Sequence, residues 1–254
     1  LTNATNAKHC VLAHACNLAN SESCTRFCPH FIATDARLKS ANVPREYRLI
    51  TLKNSPVRAS EPTVYKALDA YVKTFIRQFD ASEGHAAEPI KSVYLYSPTP
   101  GNGKTTTAIA LLHEYLIRHY VGSLQRGRQP EQVPVYFLDV NEFQTLFNEF
   151  NRNNVPADVA DVAAREYYYR YHKAKVTPFV VLDDIGVRSA SEAFRGDLHS
   201  IINHRVTNGL PSVYTSNLPI DELARVFDAR LYDRVRDMCI VLPFGGESKR
   251  GLRR

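Results

Sequence analysis

The chain has 254 residues, 44% of them hydrophobic and 23% charged, the proportions of an ordinary globular protein. No apolar run approaches the ~20 residues that a membrane-crossing helix needs, and residues 11–15 are too short an apolar stretch for a secretory core, so a cytoplasmic location is expected. Lys and Arg (32) outnumber Asp and Glu (26), and the resulting formal charge of +6 favours a polyanionic partner without identifying one.

Residues 1–41 read as a small module rich in Cys and His, and 42–254 as a larger domain. Cys10, Cys16, Cys24 and Cys28 supply four thiolates, enough for a closed tetrahedral Zn²⁺ site, with His9, His14 and His30 as alternative ligands. In a reducing compartment such a cluster points to metal rather than to disulfides. Metal would also let a segment with so few aliphatic residues fold. Asn42-Val43-Pro44 marks the joint between the two parts.

A helix is expected over 62–79, where Val64, Leu68, Tyr71, Val72, Phe75 and Phe79 recur at helical spacing behind Pro62. Residues 80–89 read as a loop. Strand and helix signals then alternate: a strand at 92–96, a helix at 105–120, a strand at 135–140. Phe143, Leu146, Phe147 and Phe150 mark the next helix, and 157–173 another. The apolar run 179–183 is a buried strand. Ser189-Ala-Ser-Glu192 fits a capping box before a helix with Phe194, Leu198, Ile201 and Ile202 on its core face. Short strands at 213–215 and 240–242 complete a set of five. Strands separated by helices demand a parallel sheet covered on both faces, a three-layer α/β fold.

The chemistry concentrates between the first strand and the helix after it. Pro98-Thr-Pro100-Gly101-Asn102-Gly103-Lys104-Thr105 has the form of a phosphate-binding P-loop, with Pro98 where the strict pattern has Gly. Gly101 and Gly103 free the backbone to turn its N–H groups onto phosphate oxygens, and the helix N-terminus through Thr106 adds further donors. Lys104 is expected on the terminal phosphates of ATP and the Thr105 hydroxyl on Mg²⁺. Phe179-Val-Val-Leu182-Asp183-Asp184 is an apolar strand ending in paired acids. Asp183 suits the Mg²⁺ shell, and Asp184 suits the orientation or deprotonation of an attacking water. Asn217 ends the strand at 213–215, as a γ-phosphate sensor, a helix cap, or both. Arg230 and Arg234 stand four residues apart on one helix face.

With these residues in order, the chain resembles the DnaC/DnaI-type helicase loaders, a branch of the AAA+ ATPases. The resemblance rests on the P-loop, Leu182-Asp-Asp-Ile-Gly186, Thr215-Ser-Asn217, Arg230-x-x-x-Arg234 and the tail Phe244-Gly-Gly-Glu-Ser248-Lys-Arg250, and covers about residues 45–254. It implies a P-loop AAA+ domain with a five-stranded parallel sheet and no large helical lid, preceded by a zinc-binding module that grips the helicase. Asn217 takes the sensor 1 role. Arg234, or else Arg230, is the arginine finger reaching a neighbouring protomer, and Arg250 is a sensor 2 arginine on the nucleotide. The implied activity is slow, Mg²⁺-dependent ATP hydrolysis that switches the loading of a hexameric DnaB-type helicase onto single-stranded DNA, with self-association or assembly on the helicase ring. A transposition helper similar to IstB and a nucleotide-gated inhibitor of a host loader are the rival readings.

A further stretch, Arg165-Glu-Tyr-Tyr-Tyr-Arg170-Tyr-His-Lys173-Ala-Lys175, interleaves cations with aromatics. Such a face suits single-stranded DNA, by phosphate contact and base stacking, or a half-buried helix with solvated charges.

Overall fold

The computed structural model describes residues 6–79, 88–186, 190–246 and 248. Five strands, β1 (Ser92–Tyr96), β2 (Val135–Asp139), β3 (Phe179–Asp183), β4 (Ser212–Ser216) and β5 (Cys239–Pro243), form one sheet in the order β2-β3-β4-β1-β5. All its pairings are parallel. Strand residues alternate between two apolar layers. Val93, Leu95, Phe137, Phe179, Val181 and Val213 face one side. Tyr94, Tyr136, Leu138, Val180, Leu182 and Tyr214 face the other. A period of two with both sets buried requires cover on each face, and helices supply it.

On the first face lie α1 (Pro29–Ser40), α2 (Pro62–Tyr71) and the long α3 (Lys104–Gln125). On the second lie α4 (Val140–Asn151), α5 (Ala157–Val176), α6 (Glu192–Thr207), the short α7 (Leu223–Val226) and α8 (Ala229–Met238). The expected alternation and the five-stranded parallel sheet are thus observed.

Some boundaries differ from the sequence reading, each for a local reason. The helix expected over 62–79 stops being α-helical at Tyr71 and continues as a 3₁₀ helix, Val72–Phe79. That tighter turn delivers Phe79 against Gly122 of α3, where a Cβ would lie 2.5 Å from the Phe79 ring. Strand β2 ends one residue early because Asp139 becomes the N-cap of α4, accepting from Asn141 N at 2.9 Å and Glu142 N at 3.1 Å. Helix α6 is capped by Ser191, which accepts from Phe194 N at 3.2 Å; Ser189, expected in that role, lies outside the described residues.

The N-terminal segment packs on the larger domain. Val11, Leu12, Leu38, Ala41 and Val43 join the apolar cluster of α2 and α3. Arg37, 6% exposed, donates to Glu131 O at 2.7 Å and Pro130 O at 2.9 Å. The Phe137 amide donates to Ala41 O at 2.8 Å, and Asn42 Nδ2 to Phe137 O at 3.2 Å. These bonds cover the β2 edge, whose polar groups would otherwise offer a pairing surface.

Candidate functional site

A cleft of ≈ 580 Å³ opens at the carboxyl ends of the strands, where open α/β sheets bind their ligands. The P-loop forms one wall. Gly101 (φ 81°) and Gly103 (φ 100°) take left-handed conformations, and Gly103 is the N-cap of α3. A Cβ on Gly103 would lie 2.3 Å from Val57, so the segment before α2 closes tightly over the loop.

Lys104 is 8% exposed. Its ammonium donates to Asn217 Oδ1 at 2.8 Å, Thr99 O at 3.2 Å, Ser97 O at 3.3 Å and Asn102 Oδ1 at 3.4 Å. Thr105 Oγ1 stands 3.0 Å from both carboxylate oxygens of Asp183. Thr215 Oγ1 donates to Asp183 Oδ1 at 2.6 Å and accepts from the Asp184 amide at 2.8 Å. Asp184 has a left-handed backbone (φ 60°), and its Oδ2 accepts from Asn141 Nδ2 at 3.0 Å. Pro100, Thr106 and Asp139 also line the cleft.

The charge distribution suits a cation bound beside an anion. Asp183 is pushed up to about 6, first by burial and then by the charges of Asp139 and Asp184, against the lowering effect of its Thr215 and Thr105 hydrogen bonds. Three carboxylates facing one cleft would be relieved by a divalent ion held on oxygen, the donor type Mg²⁺ takes. Lys104 and the α3 N-terminus line the same cleft, and Asn102 Nδ2 is buried with no hydrogen-bond partner among the described residues. Residues expected on ATP and Mg²⁺ from the P-loop, the paired acids and Asn217 therefore meet in one place.

Arg230 and Arg234 do not join them: both lie exposed on α8, and neither lines the cleft. Arg250 lies outside the described residues. The described part of its tail folds back, with Gly246 N donating at 2.9 Å to the buried Glu61 that precedes α2. Residues that the sequence reading missed are Asn141, Thr215 as a bridge, and Tyr47, Pro56 and Val57 on the rim. Thr215 stood inside a motif read only for Asn217. The others carried no local signal, since they reach the cleft by tertiary packing.

The cysteines are less ordered toward a ligand set. Among the described residues no three Cys, His, Asp or Glu side chains come together as a metal-holding group. Cys10 is raised first by burial and also by the charges of Cys16, Cys28 and Cys24.

The aromatic-cationic stretch on α5 divides. Tyr167 is fully buried, stacked on Phe143 at 4.2 Å, with its hydroxyl on Asp197 at 2.6 Å. Arg170 is 11% exposed in its side chain and ion-paired with Glu142 at 2.8 Å and Glu166 at 2.6 Å, so it ties α5 to α4 and is not a free phosphate contact. Tyr168 and Tyr169 remain exposed, with Lys173 over the Tyr169 ring.

No protein-family model matches the chain. The replicative helicase loader DnaI of Bacillus subtilis (strain 168) is 29% identical over 176 residues, covering 63% of this chain and 48% of that protein. The chain thus spans about half the length of that curated relative. Among solved structures, a crystal structure of DnaI superposes with a TM-score of 0.55 at 21% identity, over 84% of this chain and 100% of that one. The DnaC helicase loader gives 0.53 at 19%, over 80% and 100%. A putative primosome component from Streptococcus pyogenes serotype M3 gives 0.50 at 23%, over 83% and 93%. At these identities the superpositions speak for the fold. Together with the sequence match, they bear out the resemblance to DnaC/DnaI-type helicase loaders read from the motifs.

Proposed function

From this likeness to the DnaC/DnaI-type helicase loaders, we propose that the chain binds ATP with Mg²⁺ in the cleft, hydrolyses it slowly, and uses the nucleotide as a switch while loading a hexameric DnaB-type helicase onto single-stranded DNA. One observation carries the nucleotide reading: Lys104 and Thr105, on the first turn of α3, meet Asn217 and Asp183 from the ends of two other strands. Main-chain amides of Gly101 to Thr106 and the Lys104 ammonium would hold the phosphates. Thr105 and Asp183 would hold Mg²⁺, which when bound neutralises phosphate charge. Asp184, held by Asn141, orients the attacking water or accepts its proton, and Asn217 fixes the γ-phosphate end of the cleft.

Arg234, or Arg230, completes the site of a neighbouring protomer, so that isolated chains would turn over slowly. Arg250 contacts the nucleotide of its own chain. The four cysteines are the Zn²⁺ ligands of this reading by their number alone, since the described arrangement brings no three of them into a metal-holding group, and the segment that carries them grips the helicase. Exposed Tyr168 and Tyr169 leave α5 as one surface for single-stranded DNA.

The test is co-purification with a DnaB-type helicase with and without ATP, alongside nucleotide binding by the wild type and Lys104→Ala. ATP-dependent capture lost in Lys104→Ala supports the reading. Absence of adenine-nucleotide uptake at millimolar concentration removes it. Zinc is checked separately by metal content, which should fall from one ion per chain in the wild type to none in a Cys24→Ser, Cys28→Ser variant.

A further inference from the structure

The two arginines of α8 lie one turn apart but are held differently. Arg234 Nη1 donates to Asn203 Oδ1 at 2.6 Å. The Arg230 side chain has no hydrogen-bond or ion-pair partner among the described residues. Asn203 belongs to α6, one turn beyond His199, and this repeat puts both side chains on one face of the helix. His199 Nε2 lies 2.9 Å from Asp228 Oδ2, while Asp228 Oδ1 caps α8 by accepting from Leu231 N at 2.7 Å. Leu198 and Ile202 of α6 share a buried cluster with Leu231 and Val235 of α8. Helix α6 is itself pinned to the sheet by the buried Arg205, whose guanidinium reaches the carbonyls of Ala174, Thr177, Pro178 and Pro211.

We infer that Asn203 is a positioning residue for Arg234: it aims the guanidinium outward from a fixed helix pair without neutralising it. The inference rests on the reading that an arginine of α8 acts on a neighbouring protomer, and it assigns that part to Arg234. An amide oxygen accepts one of the five guanidinium N–H donors and leaves the full positive charge. A carboxylate in its place would form an ion pair and spend that charge. Among the described residues Arg234 has no carboxylate partner, in contrast to Arg225 and Arg236 of the same region. Arg230, untethered, would lose more side-chain freedom on reaching a phosphate.

Steady-state ATP hydrolysis by the full chain with Mg²⁺, at protein concentrations where the rate per chain no longer rises, tests this. A trans arginine contributes about 10³–10⁵ in rate where it acts fully, so the assay has range. Arg234→Ala should lower kcat at least about tenfold with KM little changed. Asn203→Asp should approach that loss with an unchanged melting temperature, Asn203→Ala should fall between, and Asn203→Gln should restore most of the rate. In the Arg234→Ala background, Asn203→Asp should cost nothing further. A normal rate in Asn203→Asp while Arg234→Ala is impaired overturns the inference. A normal rate in Arg234→Ala, or no turnover by the wild type, instead overturns the trans-arginine reading beneath it. If Asn203→Asp melts early, the comparison of Asn203→Ala with Asn203→Gln decides: equal rates overturn the inference, and rescue by Gln alone upholds it.

Discussion

The Lys104 ammonium donates to Asn217 Oδ1 at 2.8 Å, joining the first turn of α3 to the loop after β4. Both side chains are thereby aimed into the cleft, but they do different work there. Lys104 is the cation that an anionic ligand meets, whereas Asn217 is a neutral group beside it. Lys104→Ala should weaken ATP binding by about 2–3 kcal/mol, the worth of a charged hydrogen bond. Asn217→Ala should bind ATP within about threefold of the wild type and lose about 10²-fold in turnover, the cost of removing one preorganised polar group. Calorimetric titration and a coupled hydrolysis assay separate the two.

Asn141 holds Asp184 through a 3.0 Å hydrogen bond, on a residue whose left-handed backbone already restricts its direction. Asp184→Asn removes the proton acceptor and should lower kcat by about 10²–10⁴-fold while leaving affinity nearly unchanged. Asn141→Ala should produce a smaller fall in kcat and no change in KM. A raised KM would mean that Asn141 contacts the nucleotide instead.

Arg205 is 0% exposed and has no carboxylate partner among the described residues; burial lowers it to about 10. Four carbonyls and the Ser212 hydroxyl take its donors. Arg205→Met fills the volume but strands those acceptors, each a buried group costing about 1–3 kcal/mol when unsatisfied. A loss of at least ~3 kcal/mol in urea unfolding is expected. Arg205→Lys should recover little, because three tetrahedral donors cannot span the same ring of carbonyls.

His113 is fully buried on α3, bonded through Nδ1 to Ile50 O, and burial lowers it to about 4. The folded state thus resists a proton that the unfolded chain accepts near the ordinary histidine value. Above pH 6.5 His113 imposes no penalty, and stability falls as pH drops from about 6.5 toward 4, at up to ~1.4 kcal/mol per pH unit. His113→Gln should lessen the pH dependence of urea midpoints across that window, leaving the share of His119, which burial also lowers to about 4.

Much of this fold was legible in the sequence because a parallel sheet writes itself as apolar runs, and all five strands fall where those runs stand. The P-loop and paired acids were legible because their chemistry needs fixed spacing along the chain. Asn141 was not, since its approach to Asp184 spans 43 positions and depends on Asp139 starting a helix where a strand was expected to continue. Arg170 misled for the opposite reason. Its neighbours in sequence are aromatic, but its partners in space are Glu142 and Glu166. Likewise, the first 41 residues read as a body of their own, and nothing local announces that Arg37 seeks the carbonyls of Pro130 and Glu131.

That docking has a mechanical side. Ala41 grips the Phe137 amide only two positions before Asp139, which borders the cleft and begins α4. Helix α1 and the rim of the cleft are therefore joined through adjacent residues of one strand, with no intervening loop between the two contacts.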